Sequence, residues 1–164
     1  MDPSIGQRIE SRQQGQAARC YYAQDNLGRI TDTAKTGEVF NRYGNGTEGL
    51  KTYYGYDDRS QLTSEVTKVG TSATVLTGRN DAHTYDSIGN RSSVTHNGNT
   101  AAYTSNNLNQ YSSRAVPGFF DVAGGAASAA TVTVNGSNSG VTRHGDYFFK
   151  GDRNGVGTET GSGR

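Results

Sequence analysis

The sequence predicts a mainly β protein made of consecutive antiparallel hairpins. The first reason is a repeated frame of aromatic, any residue, Tyr, Asp, two further residues, Gly, polar, apolar and Thr. This frame fits YAQDNLGRIT from Tyr22, YGYDDRSQLT from Tyr54 and HTYDSIGNRS from His83. The second reason is composition: only 31% of the residues are hydrophobic, while ten are tyrosines, which suit a half-exposed sheet. A short helix is predicted only for Ser11–Arg19, where Gly15 weakens it.

Each copy of the frame predicts two strands joined by a turn with aspartate at its head. Tyr54 and Tyr56 lie two residues apart, so they project from one face of an extended strand. The aspartate can accept hydrogen bonds from the next amides, and glycine supplies a positive φ without steric cost. Ser60 takes the place of that glycine in the second copy. The structural positions of the repeat are Tyr22, Asp25, Gly28, Tyr54, Tyr56, Asp57, Tyr85, Asp86 and Gly89.

The third turn carries the sharpest local expectation. Asp86 should accept a hydrogen bond from an amide near Ile88 or Gly89, and Gly89 should have a positive φ. A β-branched residue is poorly tolerated at positive φ, so Gly89→Val should cost about 1 to 3 kcal/mol. Replacing Asp86 by alanine should cost less.

Further turn signals lie outside the three aligned copies. YTSNNLNQYS, from Tyr103, is a degenerate fourth copy that keeps the first aromatic residue and an asparagine pair. Asn45-Gly46, Asn97-Gly98 and Asn135-Gly136 are hairpin tips of the two-residue kind. The alternation Thr131 to Val134 before the last of them predicts a strand. The chain therefore divides into a non-repeat segment 1–19, a repeat region 20–114, a C-terminal β segment 115–150 and a flexible tail 151–164.

Charge, cysteine content and hydropathy argue against several classes of protein. A net charge of +1 without a basic block does not favour nucleic acid as a partner. Cys20 is the single cysteine, so it forms no intrachain disulfide and no cysteine-based metal site. No apolar stretch approaches the length of a membrane span, and MDPSIGQRIE lacks the features of a secretion signal.

No catalytic, cofactor or metal site is predicted. GNGTEG, at 44–49, matches the dinucleotide pattern by letter, but a strand-like segment follows it where a helix is required. His83, His96 and His144 are too scattered for a metal pair, and their role as surface or sheet residues is favoured. The turn aspartates could gather around calcium, yet no DxDxDG-type loop occurs. The chain is predicted not to be an enzyme, because no nucleophile, base and orienting group form a motif.

From Cys20 to Lys150 the sequence resembles the YD (Rhs) repeat family, on the evidence of NLGRIT, TYDSIGNR and YTSNNLNQY. ATVTVNGSNSGVTRHGDYFF is similar to sequence that follows such repeats in some large bacterial members. The resemblance implies an open, curved sheet that is part of a hollow β-shell, which in full-length relatives encloses or presents a toxin or surface domain. About four hairpins cannot close a shell, and the DPxGL-like self-cleavage segment of toxin members is absent from the sequence.

Two roles follow from these expectations. In the first the chain is a scaffold segment of an extracellular or cell-surface protein, paired with further YD repeats of a larger chain or a neighbouring protein. In the alternative it is a binding module whose tyrosine-rich face meets carbohydrate or another surface protein. Tyrosines beside Arg59, Arg79 and Arg91 could stack on sugars, although packing within the sheet is the favoured interpretation.

Overall fold

Nine strands form one antiparallel sheet, here called the repeat sheet, in which each strand pairs with its neighbours in sequence. The computed structural model describes residues 9–13, 16–36, 41, 49–70, 72–116 and 118–152. The strands are β1 Ile9–Gln13, β2 Gln16–Gln24, β3 Ile30–Thr36, β4 Leu50–Tyr56, β5 Leu62–Val69, β6 Val75–Tyr85, β7 Arg91–His96, β8 Asn99–Ser105 and β9 Tyr111–Arg114. The sheet is open, with β1 and β9 at its edges. This confirms the predicted mainly β fold of consecutive antiparallel hairpins.

Tyrosine, threonine and valine dominate the central strands, as expected for a pleated surface that is half-exposed on both sides. In β4 and β5 almost every residue has intermediate exposure. Thr52 lies opposite Thr67, and their hydroxyl oxygens are 2.9 Å apart. Cross-strand pairs of this kind stabilise a sheet that has little apolar core of its own.

A second, three-stranded sheet, here called the C-terminal sheet, follows the repeats. Its strands are β10 Phe120–Gly125, β11 Thr142–His144 and β12 Tyr147–Asp152, in the order β10-β12-β11. They lie in the segment predicted as C-terminal β structure. The predicted tail begins at Gly151, whereas β12 continues to Asp152, and residues 153–164 lie outside the described part of the chain.

The apolar core lies where the two sheets meet. Val69 and Leu76 of the repeat sheet pack with Tyr147 and Phe149 of β12, and each of the four is at most 7% exposed. Gly78 makes this approach possible, because its φ is +85° and a Cβ atom there would overlap the Phe149 ring. The hydroxyl of Tyr147 donates to the Thr77 carbonyl at 2.8 Å. A few aromatic side chains thus fix the C-terminal sheet on β6.

Two local predictions are wrong. The helix expected over Ser11–Arg19 is replaced by β1 and the start of β2, which pair from Ile9↔Cys20 to Gln13↔Gln16. Pairing of β2 with β3 extends the same ladder, and these tertiary contacts override the weak local helix propensity. The boundary predicted between residues 19 and 20 therefore falls inside β2.

The strand expected over Thr131 to Val134 is also absent. In that segment only Val134 forms a bridge, to Ser137, which closes the predicted turn with Asn135 and Gly136 at φ +53° and +74°. Alternation alone does not make a strand when no neighbouring strand runs beside it. The GNGTEG loop, including Asn45-Gly46, lies outside the described residues except for Gly49.

Candidate functional site

Four equivalent turns line one end of the repeat sheet. They join β2 to β3, β4 to β5, β6 to β7 and β8 to β9, and in an antiparallel meander alternate turns lie at the same end. We call this set the turn row: residues 25–29, 57–61, 86–90 and 106–110. Each turn is numbered below from its head residue, i, which is Asp25, Asp57, Asp86 or Asn106.

The third turn has the predicted geometry. Asp86 Oδ1 accepts the amide of Ile88 at 3.0 Å and that of Asn90 at 2.8 Å. The amide of Gly89 donates to the Asp86 carbonyl at 3.2 Å, and Gly89 has φ +97°. The side chain therefore replaces the backbone acceptors that a tight reversal leaves out of reach.

The other three turns repeat this pattern bond for bond. In each, the head Oδ1 accepts the amides at i+2 and i+4, over distances of 2.8 to 3.1 Å. Residue i+3 always has positive φ, at +76° for Gly28, +64° for Ser60 and +60° for Asn109. Ser60 and Asn109 show that the turn geometry survives without glycine, because the head residue carries most of its hydrogen bonds.

Each of the four hairpins of the turn row also contains a β-bulge beside its turn. The register places i−1 opposite i+5 and then i−2 opposite i+7, so residue i+6 has no partner. That extra residue is Thr31, Thr63, Ser92 or Ser112. The Ser92 hydroxyl lies 2.7 Å from Thr84 Oγ1, and Ser112 donates to the Thr104 carbonyl at 3.1 Å. The Thr or Ser at the end of the sequence frame is thus the bulge residue, a role that the frame alone does not reveal because it depends on the strand register.

Tyrosine hydroxyls tie each hairpin to the one before it. Tyr56, at i−1 of the second turn, donates to the Ile30 carbonyl at 2.8 Å, and Tyr85 donates to the Leu62 carbonyl at 2.8 Å. Ile30 and Leu62 occupy the same position, i+5, of consecutive hairpins. The Tyr of the Tyr-Asp pair therefore fixes the position of its hairpin relative to the preceding one.

The fourth hairpin keeps this tie by a different residue. Ser105 stands at i−1, where its hydroxyl donates to Asp86 Oδ2 at 3.3 Å but is too short to reach position i+5 of the preceding hairpin as a tyrosine does. Instead the hydroxyl of Tyr111, at i+5, accepts the amide of Arg91 at 2.9 Å. Arg91 is at i+5 of the third hairpin, so the contact is made at the same backbone position as in the earlier hairpins. The tyrosine that makes it lies in the second strand of its hairpin instead of the first.

Polar side chains at i+2 and i+4 add a second set of contacts along the turn row. Arg29 Nη1 donates to the Asp57 carbonyl at 3.3 Å, and its guanidinium lies 4.9 Å from the centre of the Tyr56 ring. Arg59 donates to the Ser87 carbonyl. Gln61 Nε2 donates to the Gly89 carbonyl at 3.3 Å. Each turn therefore holds the next one directly.

Two head carboxyls are stabilised in their ionised form. Desolvation raises the pKa of Asp25, but hydrogen bonds from Arg29 and Leu27 and the charge of Arg29 outweigh it, so the pKa lies below its ordinary value. For Asp86, desolvation is likewise outweighed by bonds from Asn90, Ile88 and Ser105, which lower the pKa. Because both values are lower in the folded state, these contributions to stability are present above the ordinary aspartate range and disappear as the pH falls through the lowered values.

A groove of about 300 Å³ lies on the face of the repeat sheet that the C-terminal sheet partly covers. Tyr54 lines it, together with Glu65, Lys35 and Arg79, while Tyr147 of β12 forms one wall. Tyr22 of β2 stands three residues before its turn, as Tyr54 does. It lies opposite Thr33 of β3 and is half-buried. Tyr54 thus borders this groove, while the predicted positions Asp57, Tyr85 and Asp86 line a second cleft, between the second and third turns.

The two sheets are also joined by a histidine held between two carboxylates. His96, at the end of β7, has Nδ1 2.6 Å from Asp81 Oδ1 and Nε2 2.6 Å from Asp121 Oδ2. Asp81 belongs to β6 of the repeat sheet, whereas Asp121 belongs to β10 of the C-terminal sheet. The sequence favours a surface or sheet role for this histidine and has no motif for the contact, because Asp81 and Asp121 lie 15 and 25 residues from His96.

Comparison with protein-family models and with curated proteins found no match to this chain. Among the described residues, no three histidine, cysteine, aspartate or glutamate side chains are grouped so that they could hold a metal ion. No helix within the described ranges is long and apolar enough to cross a membrane.

Proposed function

We propose that this chain is a structural segment of a YD/Rhs repeat protein, and that it forms part of the wall of a β-shell. The observation that carries the proposal is the turn row, in which four turns share one hydrogen-bond pattern and each contacts the next. In repeat proteins each unit is stabilised by its neighbours, so identical contacts between successive units are typical of an extended scaffold. In full-length relatives such a wall encloses or presents a toxin or surface domain.

The edges of the repeat sheet support the same proposal. Strand β9 ends the sheet, and its residues are all exposed. Tyr111 holds position i+5, the point at which earlier hairpins receive the following one. An exposed edge strand is a ready template for pairing. The partner proposed for this edge is a further YD hairpin, from a larger chain or a neighbouring protein at the cell surface or outside the cell.

Apolar residues at the tips of the turns support a wall with more than one tier. Leu27, Ile88 and Leu108 all stand at i+2 and are 72%, 66% and 77% exposed. Exposed apolar side chains recur at this point in three of the four turns, with Arg59 in the second, and exposed apolar patches often mark surfaces that meet another protein. A neighbouring tier of hairpins would cover these side chains.

A binding module is the second candidate, and the groove beside Tyr54 favours it. Its lining combines an aromatic ring, a ladder of threonine hydroxyls and charges of both signs from Lys35 and Glu65. Saccharides are bound by such combinations, in which a ring packs on the sugar and polar groups bond to its hydroxyls. Tyr56, in contrast, is engaged in the turn row through its hydroxyl.

A glycan array separates the two candidates. For a wall segment we expect no glycan to be retained by the wild-type chain above background. The matched variants are Tyr54→Ala, which alters the groove, and Tyr53→Ala, which removes the neighbouring ring from the opposite face of β4. A glycan that binds wild type and Tyr53→Ala but not Tyr54→Ala, with unchanged circular dichroism, would replace the wall proposal by the binding module.

A further inference from the structure

The contact between His96 and two carboxylates is unlike the other contacts between the sheets, since it depends on a proton. We propose that His96 is a proton-controlled latch, which fastens the C-terminal sheet to the repeat sheet when its ring carries two N–H groups and loosens it when one is lost. Such a latch would act at the joint between the sheets, whatever the wall encloses.

The geometry requires a doubly protonated ring. Both ring nitrogens lie 2.6 Å from a carboxylate oxygen, Asp81 on one side and Asp121 on the other. A carboxylate only accepts hydrogen bonds, so both nitrogens must donate, and only the imidazolium has two donors. A neutral ring would present a lone pair to one of the carboxylates and lose that bond.

The neighbourhood of the ring indicates which bond is lost. The side-chain nitrogen of Asn97 lies 3.0 Å from His96 Nε2 and 3.2 Å from Asp121 Oδ2. Once Nε2 has lost its proton, it can accept from the Asn97 amide, whereas its bond to Asp121 can no longer form. Asp81 lies directly opposite His96 in the β6–β7 ladder and keeps its bond to Nδ1. Deprotonation therefore removes the bond from the ring to the carboxylate of the C-terminal sheet, which keeps the Asn97 amide as a donor.

The charged groups around the ring are mostly acidic, and the cation among them is Arg79 of β6, two residues before Asp81, whose side chain bonds to Tyr147. From the repeat sheet, Asp81 faces His96 directly, and Glu65 of β5 lies opposite Asp81. Asn99 of β8, opposite His96 on the other side, is uncharged. From the C-terminal sheet the facing charge is that of Asp121. The surroundings of the ring within the described residues are thus net acidic, which favours the imidazolium.

The direction of the pH effect follows from this arrangement. Partial burial lowers the pKa of His96, but the hydrogen bonds and charges of Asp81 and Asp121 outweigh burial and raise it above 6.5. A group with a raised folded pKa adds stability that is fully present below its unfolded value and is lost as the pH rises through the folded value. The latch is therefore closed at mildly acidic pH and opens in the range above pH 6.5.

The ring is placed to transmit this change to the whole joint. It stacks on Phe119, next to the start of β10, with the ring planes 4° apart. Asp121 lies opposite Gly151 in β12, the strand that carries Tyr147 and Phe149 into the core. Loss of the Asp121 bond leaves the C-terminal sheet held by those two aromatic side chains, by the Tyr147 hydroxyl on the Thr77 carbonyl and by the Asn97 amide on Asp121, without its one charged contact to the histidine.

Nuclear magnetic resonance on the full chain tests the latch. The His96 ring protons report its titration, and the nuclear Overhauser effect between the Phe149 ring and the Gly78 α-protons reports docking. Between pH 5.5 and 9 we expect the Overhauser effect to weaken with the midpoint of the His96 titration. In Asp121→Asn the His96 midpoint should move to lower pH, and docking should no longer follow it.

Two histidine variants complete the test. His83→Gln, which removes a ring from the cleft between the second and third turns, should keep the pH dependence of docking. His96→Gln should abolish it. Docking that does not change with pH in the wild type, or that changes with the same midpoint in Asp121→Asn or His96→Gln, would overturn the proposal.

Discussion

Replacing Phe149 by alanine is expected to lower the free energy of unfolding by about 3 kcal/mol, the low end for a buried phenylalanine. Phe149 is 7% exposed and packs against Leu76 and Val69 in the only cluster of buried apolar side chains among the described residues. Its ring also fills the space over Gly78, beside the Tyr147 hydroxyl. Chemical denaturation of the variant and the wild type measures the difference.

The matched control is Phe120→Ala in the same small sheet. Phe120 is 45% exposed, so its truncation should cost well under 1 kcal/mol. The Phe149 variant should also lose the nuclear Overhauser effects between Tyr147 and Thr77, whereas the Phe120 variant should keep them. Equal destabilisation by the two substitutions would show that the C-terminal sheet is not anchored through Phe149.

Valine in place of Gly89 is expected to cost about 1 to 3 kcal/mol. Gly89 has φ +97°, and a Cβ atom there would come within 3.1 Å of Gln61 Nε2, the group that bonds to the Gly89 carbonyl. A β-branched residue would therefore be strained by its own backbone and would also push away the neighbouring turn. Thermal and chemical unfolding give the magnitude.

Asparagine provides the control at the same position. Asn109 and Ser60 adopt positive φ at i+3 in two of the native turns, so Gly89→Asn should cost much less than Gly89→Val. A valine variant that unfolds like the asparagine variant would show that the backbone at residue 89 does not strain a β-branched side chain.

The structure also changes the loss of stability expected for Asp86→Ala. Asp86 accepts four hydrogen bonds, from the amides of Ile88 and Asn90 and the side chains of Asn90 and Ser105, and not the single bond assumed from sequence. Asp86→Ala is therefore expected to lower the free energy of unfolding by more than the loss of a single turn hydrogen bond would.

The turns could be predicted from sequence because their chemistry is local. Asp86 and Gly89 are three residues apart, and the frame alone specifies both the acceptor and the residue with positive φ. The strands next to the turns followed for the same reason. The asparagine pair of the degenerate fourth copy predicts a turn there as well, and Asn106 does form the same turn.

The bulges, the contacts between hairpins and the core depend on pairings between distant residues, which no local pattern of the sequence encodes. The bulge at Thr63 appears only when the register of β4 and β5 is known. The tie from Tyr85 to Leu62 joins residues 23 apart, and that from Tyr147 to Thr77 joins residues 70 apart. Gly78 stands in a strand without any turn signal, and its purpose is visible only when the Phe149 ring lies above it.

Removal of residues 1–48 tests most directly whether the chain is a linear array of hairpins, which the wall proposal requires. This deletion takes away β1 to β3 and the first turn but leaves the core cluster of Leu50, Val69, Leu76, Tyr147 and Phe149 in place. Since each hairpin contacts its neighbours, we predict that β4 to β12 stay folded. Backbone resonances should move only in β4, in β5 and in the turn 57–61, which loses Arg29 and the Ile30 carbonyl. Global unfolding, or changes that reach the turn 106–110, would contradict the account.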